Sequence, residues 1–459
     1  MRFLIGSLCI LMLCGSGIAQ PQHGPTRLTI HPAPAPEPAL RYRLFPSEMD
    51  RTLGNAALTY YRCLSPEWFT LRNRPELANK VEEALKAPLK DVERKEVSWV
   101  LQTKQLEELD RAARQEQCDW EFLARVRRDG IELLLPDIQS FRSLGSCQAV
   151  RAKLLLADAK FDPCVYSLQT LFSLGYDLAK APIAINALVG IAVARMALDQ
   201  VREFVQQPGA PNLYWALATI PRPFVDWPKI IEAEQASLYA AVPLLRDIEK
   251  RRLGPEEYAE LQRQLARLID LAGPRYGSEG NLGLTFLVLK QYPQAREALI
   301  AQGRKAEDVD AMPALRVCII YSLQQFRRLQ DEEIKWLYLP DDLVGAGPDA
   351  AERQISDARE KFQGEPFNVF LSAPGRLRGA SLKIERQIAL LQVVEAIRLH
   401  AAEHGSLPPT LDAIKAVPVP HDPATGKDFG YKIEGERAIL SIPSFQFGER
   451  QDYELTLSK

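Results

Sequence analysis

The stretch Ile183-Ala-Ile-Asn-Ala-Leu-Val-Gly-Ile-Ala-Val-Ala194 carries one polar side chain, Asn186, and is apolar on every side. A surface helix keeps a polar face, so a helix of this kind is enclosed by other helices. The run therefore predicts a helical core with this segment at its hub. A bilayer span needs about 20 apolar residues. Arg195, Asp199, Gln200, Arg202 and Glu203 follow too soon for that, so on the length of the run the membrane alternative fails. The next segment, Pro208 to Pro228, is punctuated by prolines and loaded with Tyr214, Trp215, Phe224 and Trp227. Asn212 is placed to cap a short helix from Leu213 to Thr219, which Pro221 and Pro223 stop.

At 459 residues, with 46% hydrophobic and 25% charged, the chain can bury a sizeable core, and its length suggests two to three domains. Lys+Arg 57 nearly balance Asp+Glu 59 and no dense basic cluster occurs. Composition thus gives no electrostatic footprint for nucleic acid or anionic lipid.

The N-terminus reads as a secretory signal. Arg2 precedes the apolar run Phe3 to Leu13, and Gly17-Ile18-Ala19 supplies small residues for cleavage after Ala19. A lipoprotein signal would want a small residue where Leu13 precedes Cys14 and Leu8 precedes Cys9. Periplasmic or secreted localisation is expected, with no transmembrane span once the signal is removed; an uncleaved anchor is the further alternative. Cleavage would leave 7 − 2 = 5 cysteines: Cys63, Cys118, Cys147, Cys164 and Cys318. An odd, sparse set is not a disulfide framework. Cys147 and Cys164 fall on successive antiparallel helices, over ~10 Å apart along the hairpin, too far to pair. Buried small hydrophobes are the expectation for all five.

Gln20 to Phe45 holds six prolines up to Pro38, and its alternation His31-Pro-Ala-Pro-Ala-Pro-Glu-Pro38 suggests an extended polyproline II spacer. Asn55 to Arg62 is predicted helical. Val97, Val100, Leu101, Leu106, Leu109 and Ala113 describe one amphipathic helix from Val92 to about Gln117. Leu133-Leu-Leu-Pro-Asp137 starts another, and Gln148 to Asp158 with Pro163 to Leu178 form a helical hairpin capped by Asp162. Its spacing resembles one tetratricopeptide hairpin, but no period near 34 residues repeats it. Helices over Ile230 to Lys250, Gly254 to Ala272, Leu282 to Gln302 and Ala311 to Leu339 continue the theme. A domain boundary is expected near Gly375, followed by a long helix from Leu377 to His404. The tail then changes period, with strands at Phe429 to Ile433, Ala438 to Ile442 and Tyr453 to Leu457. The expected fold is mainly α: an irregular helical-hairpin bundle or solenoid-like array with a small C-terminal α+β unit. Its segments are a signal peptide 1–19, a proline-rich spacer 20–45, a helical domain 46–374 and a helix-plus-sheet unit 375–459.

Several motifs carry a resemblance. Asn55-Ala-Ala with Tyr60-Tyr-Arg62, Cys118-Asp-Trp120, Pro211-Asn-Leu-Tyr-Trp-Ala-Leu217 with Pro221-Arg-Pro223, and Tyr292-Pro-Gln-Ala295 with Met312-Pro313 resemble a family of uncharacterised exported bacterial proteins over nearly the full length. The resemblance implies export and helicity, and no chemistry. The tail, with Ala396-Ile-Arg-Leu399, Gly405, Leu407-Pro408 and Asp422-Pro-Ala-Thr-Gly426 ahead of Phe429 and Tyr431, is similar to the globular part of type II secretion pseudopilins. Pseudopilins carry an anchor helix and processing site at the N-terminus, where this chain has an ordinary signal, so pilus assembly is not implied.

Three stretches could carry chemistry. His400-Ala-Ala-Glu403-His404 matches the His-x-x-Glu-His pattern of inverted zinc peptidases, in which two histidines share a helical face and the glutamate acts as base. His404 lies at a helix end before Gly405, and the downstream carboxylates Asp412, Asp422, Glu434 and Glu436 sit in turns or short strands, so no metal or other cofactor is expected. Asp422-Pro-Ala-Thr-Gly-Lys427 reads as a rigid turn presenting Phe429 and Tyr431, and Gly273 to Gly280 as a loop. No Gly-x-Ser-x-Gly elbow occurs, and the histidines cluster at the two ends of the chain. No catalytic residue is assigned. Tyr214 and Trp215 are the binding candidates: core aromatics beside the apolar hub on one view, an exposed platform for a sugar or peptide on the other. The function expected is a non-enzymatic helical scaffold that binds a protein or peptide partner; the alternative is an envelope hydrolase with a carboxylate-based site.

Overall fold

The structure, a computed structural model, describes residues 24–65, 68, 74–121, 124, 136–272, 280–339, 341–344, 347–361, 367, 374–444 and 450–458. The expected signal peptide, the start of Leu133 to Asp137, nearly all of the Gly273 to Gly280 loop and parts of the breaks at Gly345 to Pro348 and Ala373 to Gly375 lie outside these residues. The chain is mainly helical with a small four-stranded mixed sheet.

In chain order the strands are β1 (Thr26–Ile30), β2 (Thr52–Asn55), β3 (Gln115–Gln117), β4 (Gly430–Glu434), β5 (Arg437–Ile442) and β6 (Gln451–Leu457). The principal helices are α1 (Ala56–Cys63), α2 (Pro75–Lys86), α3 (Lys104–Ala112), α4 (Pro136–Ala157), α5 (Phe161–Ala179), α6 (Ala184–Phe204), α7 (Tyr214–Ala218), α8 (Trp227–Ala241), α9 (Pro255–Ala272), α10 (Gly280–Ala301), α11 (Ala314–Ile334), α12 (Gly347–Lys361) and α13 (Pro374–His404). Over the described residues, one compact unit comprises 24–120, 136–226 and 377–458; a second comprises 227–376.

In the first unit, α4, α5 and α6 pack side by side. The backbones of α5 and α6 come together at Gly175 and Gly190, where a Cβ on Gly190 would sit 2.3 Å from the Gly175 carbonyl oxygen. Val189, Val193, Ala194, Ala197, Leu198 and Val201 of α6 are buried, as an apolar hub requires. At 21 residues α6 is nevertheless longer than the apolar run that marks it, long and apolar enough to cross a bilayer. Length alone therefore does not dispose of a membrane span. Its packing on α4 and α5, with most of its apolar window buried, is the feature of a core helix. Asn212 accepts a hydrogen bond from the Tyr214 amide at 2.9 Å, one residue ahead of the N-cap of α7, which is Leu213 and not Asn212.

Two expectations change here. Where prolines suggest a spacer, Thr26–Ile30 is β1, paired in parallel with β6 in the order β1-β6-β5-β4. Leu28, Ile30, Ala33 and Leu44 are buried, so the segment is part of the core. Pro25 and Pro32 flank β1 and none lies within it, so the prolines cost no ladder hydrogen bond. The tail strands thus gain a fourth member from far back in the sequence, and 377–458 group with 24–120 and 136–226. Second, the single helix expected over Val92 to Gln117 is broken at Thr103, whose hydroxyl donates to the Trp99 carbonyl, and ends in β3. Val97, Val100, Leu106, Leu109 and Ala113 are buried as their spacing predicts, while Leu101 is exposed.

The second unit buries its own cluster, with Leu261, Leu265, Leu284, Leu299, Val317, Ile320 and Leu323 from α9, α10 and α11. Arg316 of α11 is buried and donates through Nε and Nη2 to the Ile248 carbonyl at 3.2 and 3.0 Å. The helix expected over Ile230 to Lys250 ends at Ala241, since Pro243 cannot continue it.

Candidate functional site

The long helix α13 organises the polar interior of the first unit. Glu395 and Arg398 lie three residues apart, and neither side chain is exposed. Arg398 donates through Nη1 to both Glu395 oxygens, through Nε to the His31 carbonyl at 2.9 Å and through Nη2 to the Ala210 carbonyl at 2.7 Å. Asn212 Nδ2 donates to the Glu395 carbonyl, so one ion pair ties α13 to the N-terminal strand and to the segment before α7. Two turns earlier, Arg386 donates through Nε and Nη2 to the two Asp422 oxygens at 2.7 Å each. Asp422 also accepts from the Ala424 amide and closes the Asp422 to Lys427 turn, which leads into buried Phe429 and half-buried Tyr431. These groups are held for structure, because an ion pair this dry persists only when every donor is used. For Arg398 the signal in the sequence was an arginine three residues after a glutamate in an otherwise largely apolar run, Leu390-Leu-Gln-Val-Val-Glu-Ala-Ile-Arg-Leu399; Arg386, flanked by Glu385 and Gln387, had none.

His400 and His404 stack ring on ring, with centroids 4.2 Å apart. His400 is buried, and burial followed by the neighbouring His404 lowers its pKa. His404 Nδ1 lies 3.1 Å from the His400 carbonyl oxygen, and Glu403 is exposed beside it. Among the described residues no group of three or more His, Cys, Asp or Glu side chains could hold a metal ion.

Tyr214 and Trp215 part company. Tyr214 is buried and its hydroxyl donates to the Pro418 carbonyl, whereas Trp215 is half-buried and meets the Tyr214 ring edge to face at 5.1 Å. Phe224 is fully packed. All five expected cysteines are free thiols, and burial pushes Cys63, Cys147 and Cys164 up to about 12, which keeps them inert.

One titratable group escaped the sequence. Asp177, near the end of α5, accepts a hydrogen bond from the Tyr60 hydroxyl at 2.9 Å, and the Trp120 indole donates to its backbone carbonyl at 2.8 Å. Tyr60 and Trp120 stack 5.8 Å apart, with Phe141 edge-on to both. Desolvation among these rings raises the Asp177 carboxyl to about 6, against the lowering effects of Tyr60, Lys180 and Arg51.

The second unit presents a different kind of surface. On α10, Leu282, Phe286 and Leu289 are 50%, 65% and 72% exposed, while Leu284, Leu287, Ala295 and Leu299 on the opposite side are buried. The exposed three follow a four-then-three spacing and therefore form one apolar stripe along a helical face. Compared with protein-family models, with curated proteins and with solved structures, the chain matches none of them.

Proposed function

We propose that the chain is an exported, non-enzymatic scaffold, an irregular bundle or solenoid-like array of helical hairpins, that binds a protein or peptide partner in the cell envelope. The observation that carries the reading is the α10 stripe. Leu282, Phe286 and Leu289 face solvent on one side of a helix whose other side is already packed. A contiguous apolar face of this kind costs solubility unless a partner covers it. The resemblance to exported bacterial proteins supports the compartment, as does the Arg2 to Ala19 signal pattern. N-terminal sequencing of secreted material should begin at Gln20; a sequence beginning at Met1 would overturn cleavage after Ala19, and absence of the chain from envelope and secreted fractions would overturn export.

The binding reading is tested by affinity capture from the native envelope with the mature chain and its Phe286→Glu variant as paired baits. A partner held by the first and released by the second supports it. Hydrolysis of a peptide or glycan panel, lost on Asp177→Asn, would replace it with the hydrolase.

A further inference from the structure

A cleft of about 560 Å³ lies in the first unit, on the α4–α5 hairpin. Leu101, Leu155 and Tyr166 give it an apolar floor, and Arg151, Lys160 and Asp162 its polar wall. Leu101 and Tyr166 are 37% and 42% exposed, so two large apolar side chains face solvent in one concavity. Its volume lies within the range of sites that hold small ligands and peptide side chains.

The floor is built rather than incidental. Arg151 Nη1 donates to Asp110 Oδ2 at 2.7 Å, and buried Asp110 is fixed in turn by the Thr170 hydroxyl at 2.6 Å and by Gln148 Nε2 at 3.2 Å. The Arg114 guanidinium lies 3.4 Å from the centre of the Tyr166 ring, which holds that ring in place. Its Nη1 donates to the Asp110 carbonyl and to Thr170.

The charges around the cleft do not cancel. The Asp110 carboxylate is matched by Arg151 and that of Asp162 by Arg41 at 3.6 Å, while Asp158 is shared by Arg94 and Lys160. Two cations therefore share one carboxylate, and the Lys160 side chain, 59% exposed, stands at the rim with Asp158 already held by Arg94. From this geometry we propose that the cleft binds a peptide segment with an apolar side chain beside a carboxylate, the side chain on Leu101, Leu155 and Tyr166 and the carboxylate at Lys160. The local excess of positive charge selects the sign of the partner, and the floor selects its apolar anchor. The site is independent of the α10 stripe.

Fluorescence anisotropy with the mature chain tests this, using labelled octapeptides of Leu, Phe, Asp and Gly. The comparison peptides replace each Asp by Lys, or each Leu and Phe by Ser. The acidic apolar peptides should bind, and both replacements should weaken them tenfold or more. Lys160→Glu and Tyr166→Ser change exposed side chains, so their thermal midpoints should hold while affinity falls tenfold or more. Absence of binding, equal binding of the lysine peptides, or unaltered binding by folded Lys160→Glu overturns the proposal. So does competition by octanoate as strong as that of the peptide, which would mean the cleft reads a carboxylate on any apolar body.

Discussion

Arg398 and Glu395 of α13 form an ion pair in which Nη1 contacts both carboxylate oxygens, at 3.0 and 2.8 Å, with neither side chain open to solvent. Burial raises the Glu395 pKa, and the guanidinium opposes that rise. Removing one member of such a pair strands the other in a dry interior, which costs about 3–5 kcal/mol. Denaturant unfolding of Glu395→Leu and Arg398→Met should each show a loss of that order. The double variant should lose less than the sum, because no charge is stranded. It should still fall below the wild type, since the His31 and Ala210 carbonyls lose their donor.

Asp177 sets a pH dependence whose sign follows from its raised pKa. A carboxyl at 3.8 in the unfolded chain and about 6 in the folded one binds its proton more tightly when folded. The stability this contributes is complete below about pH 4 and is lost as pH rises through about 6, by up to about 3 kcal/mol. Asp177→Asn keeps an acceptor for Tyr60 and cannot ionise. Unfolding midpoints should match the wild type at pH 4 and exceed it at pH 7.5; a variant that tracks the wild type at both values would mean that Asp177 is solvated.

Gly190→Ala separates helix propensity from packing. In a free helix the change gains about 1 kcal/mol. Here the added methyl would meet the Gly175 carbonyl oxygen at 2.3 Å and the Ala179 amide nitrogen at 2.8 Å, both of them backbone. The helices must separate, so a net loss of about 1–3 kcal/mol is expected in thermal or denaturant unfolding.

Trp215→Ala should cost about 2 kcal/mol, less than the 3–5 kcal/mol range of fully enclosed aromatics, because Trp215 is half-buried. Tyr214→Phe should cost about 1 kcal/mol by leaving the Pro418 carbonyl without its donor. Thermal unfolding reads both. An unchanged midpoint for Trp215→Ala together with lost partner binding would mark Trp215 as a binding platform.

The helices, the buried face of each and the tail strands were legible because their signals are local. The Asn212 turn ahead of α7, the apolar run Ile183 to Ala194, the spacing of Val97 to Ala113 and the alternation around Gly435 each act within a few residues. The parallel pairing of Thr26–Ile30 with Tyr453–Leu457 has no such signal, because the two strands lie far apart in the sequence and no local turn joins them. The same holds for Arg386 and Arg398, whose acceptors include a remote turn and the remote carbonyls of His31 and Ala210. It holds also for Asp177, whose raised pKa exists only where Tyr60 and Trp120 close around it. Sequence by itself determined that the chain is mainly helical and which side chains seek the interior, since hydrophobic periodicity is a property of the chain. Only the tertiary structure decided which charges go inside with them and which apolar face of α10 stays out, because both depend on what the remaining surface has already covered.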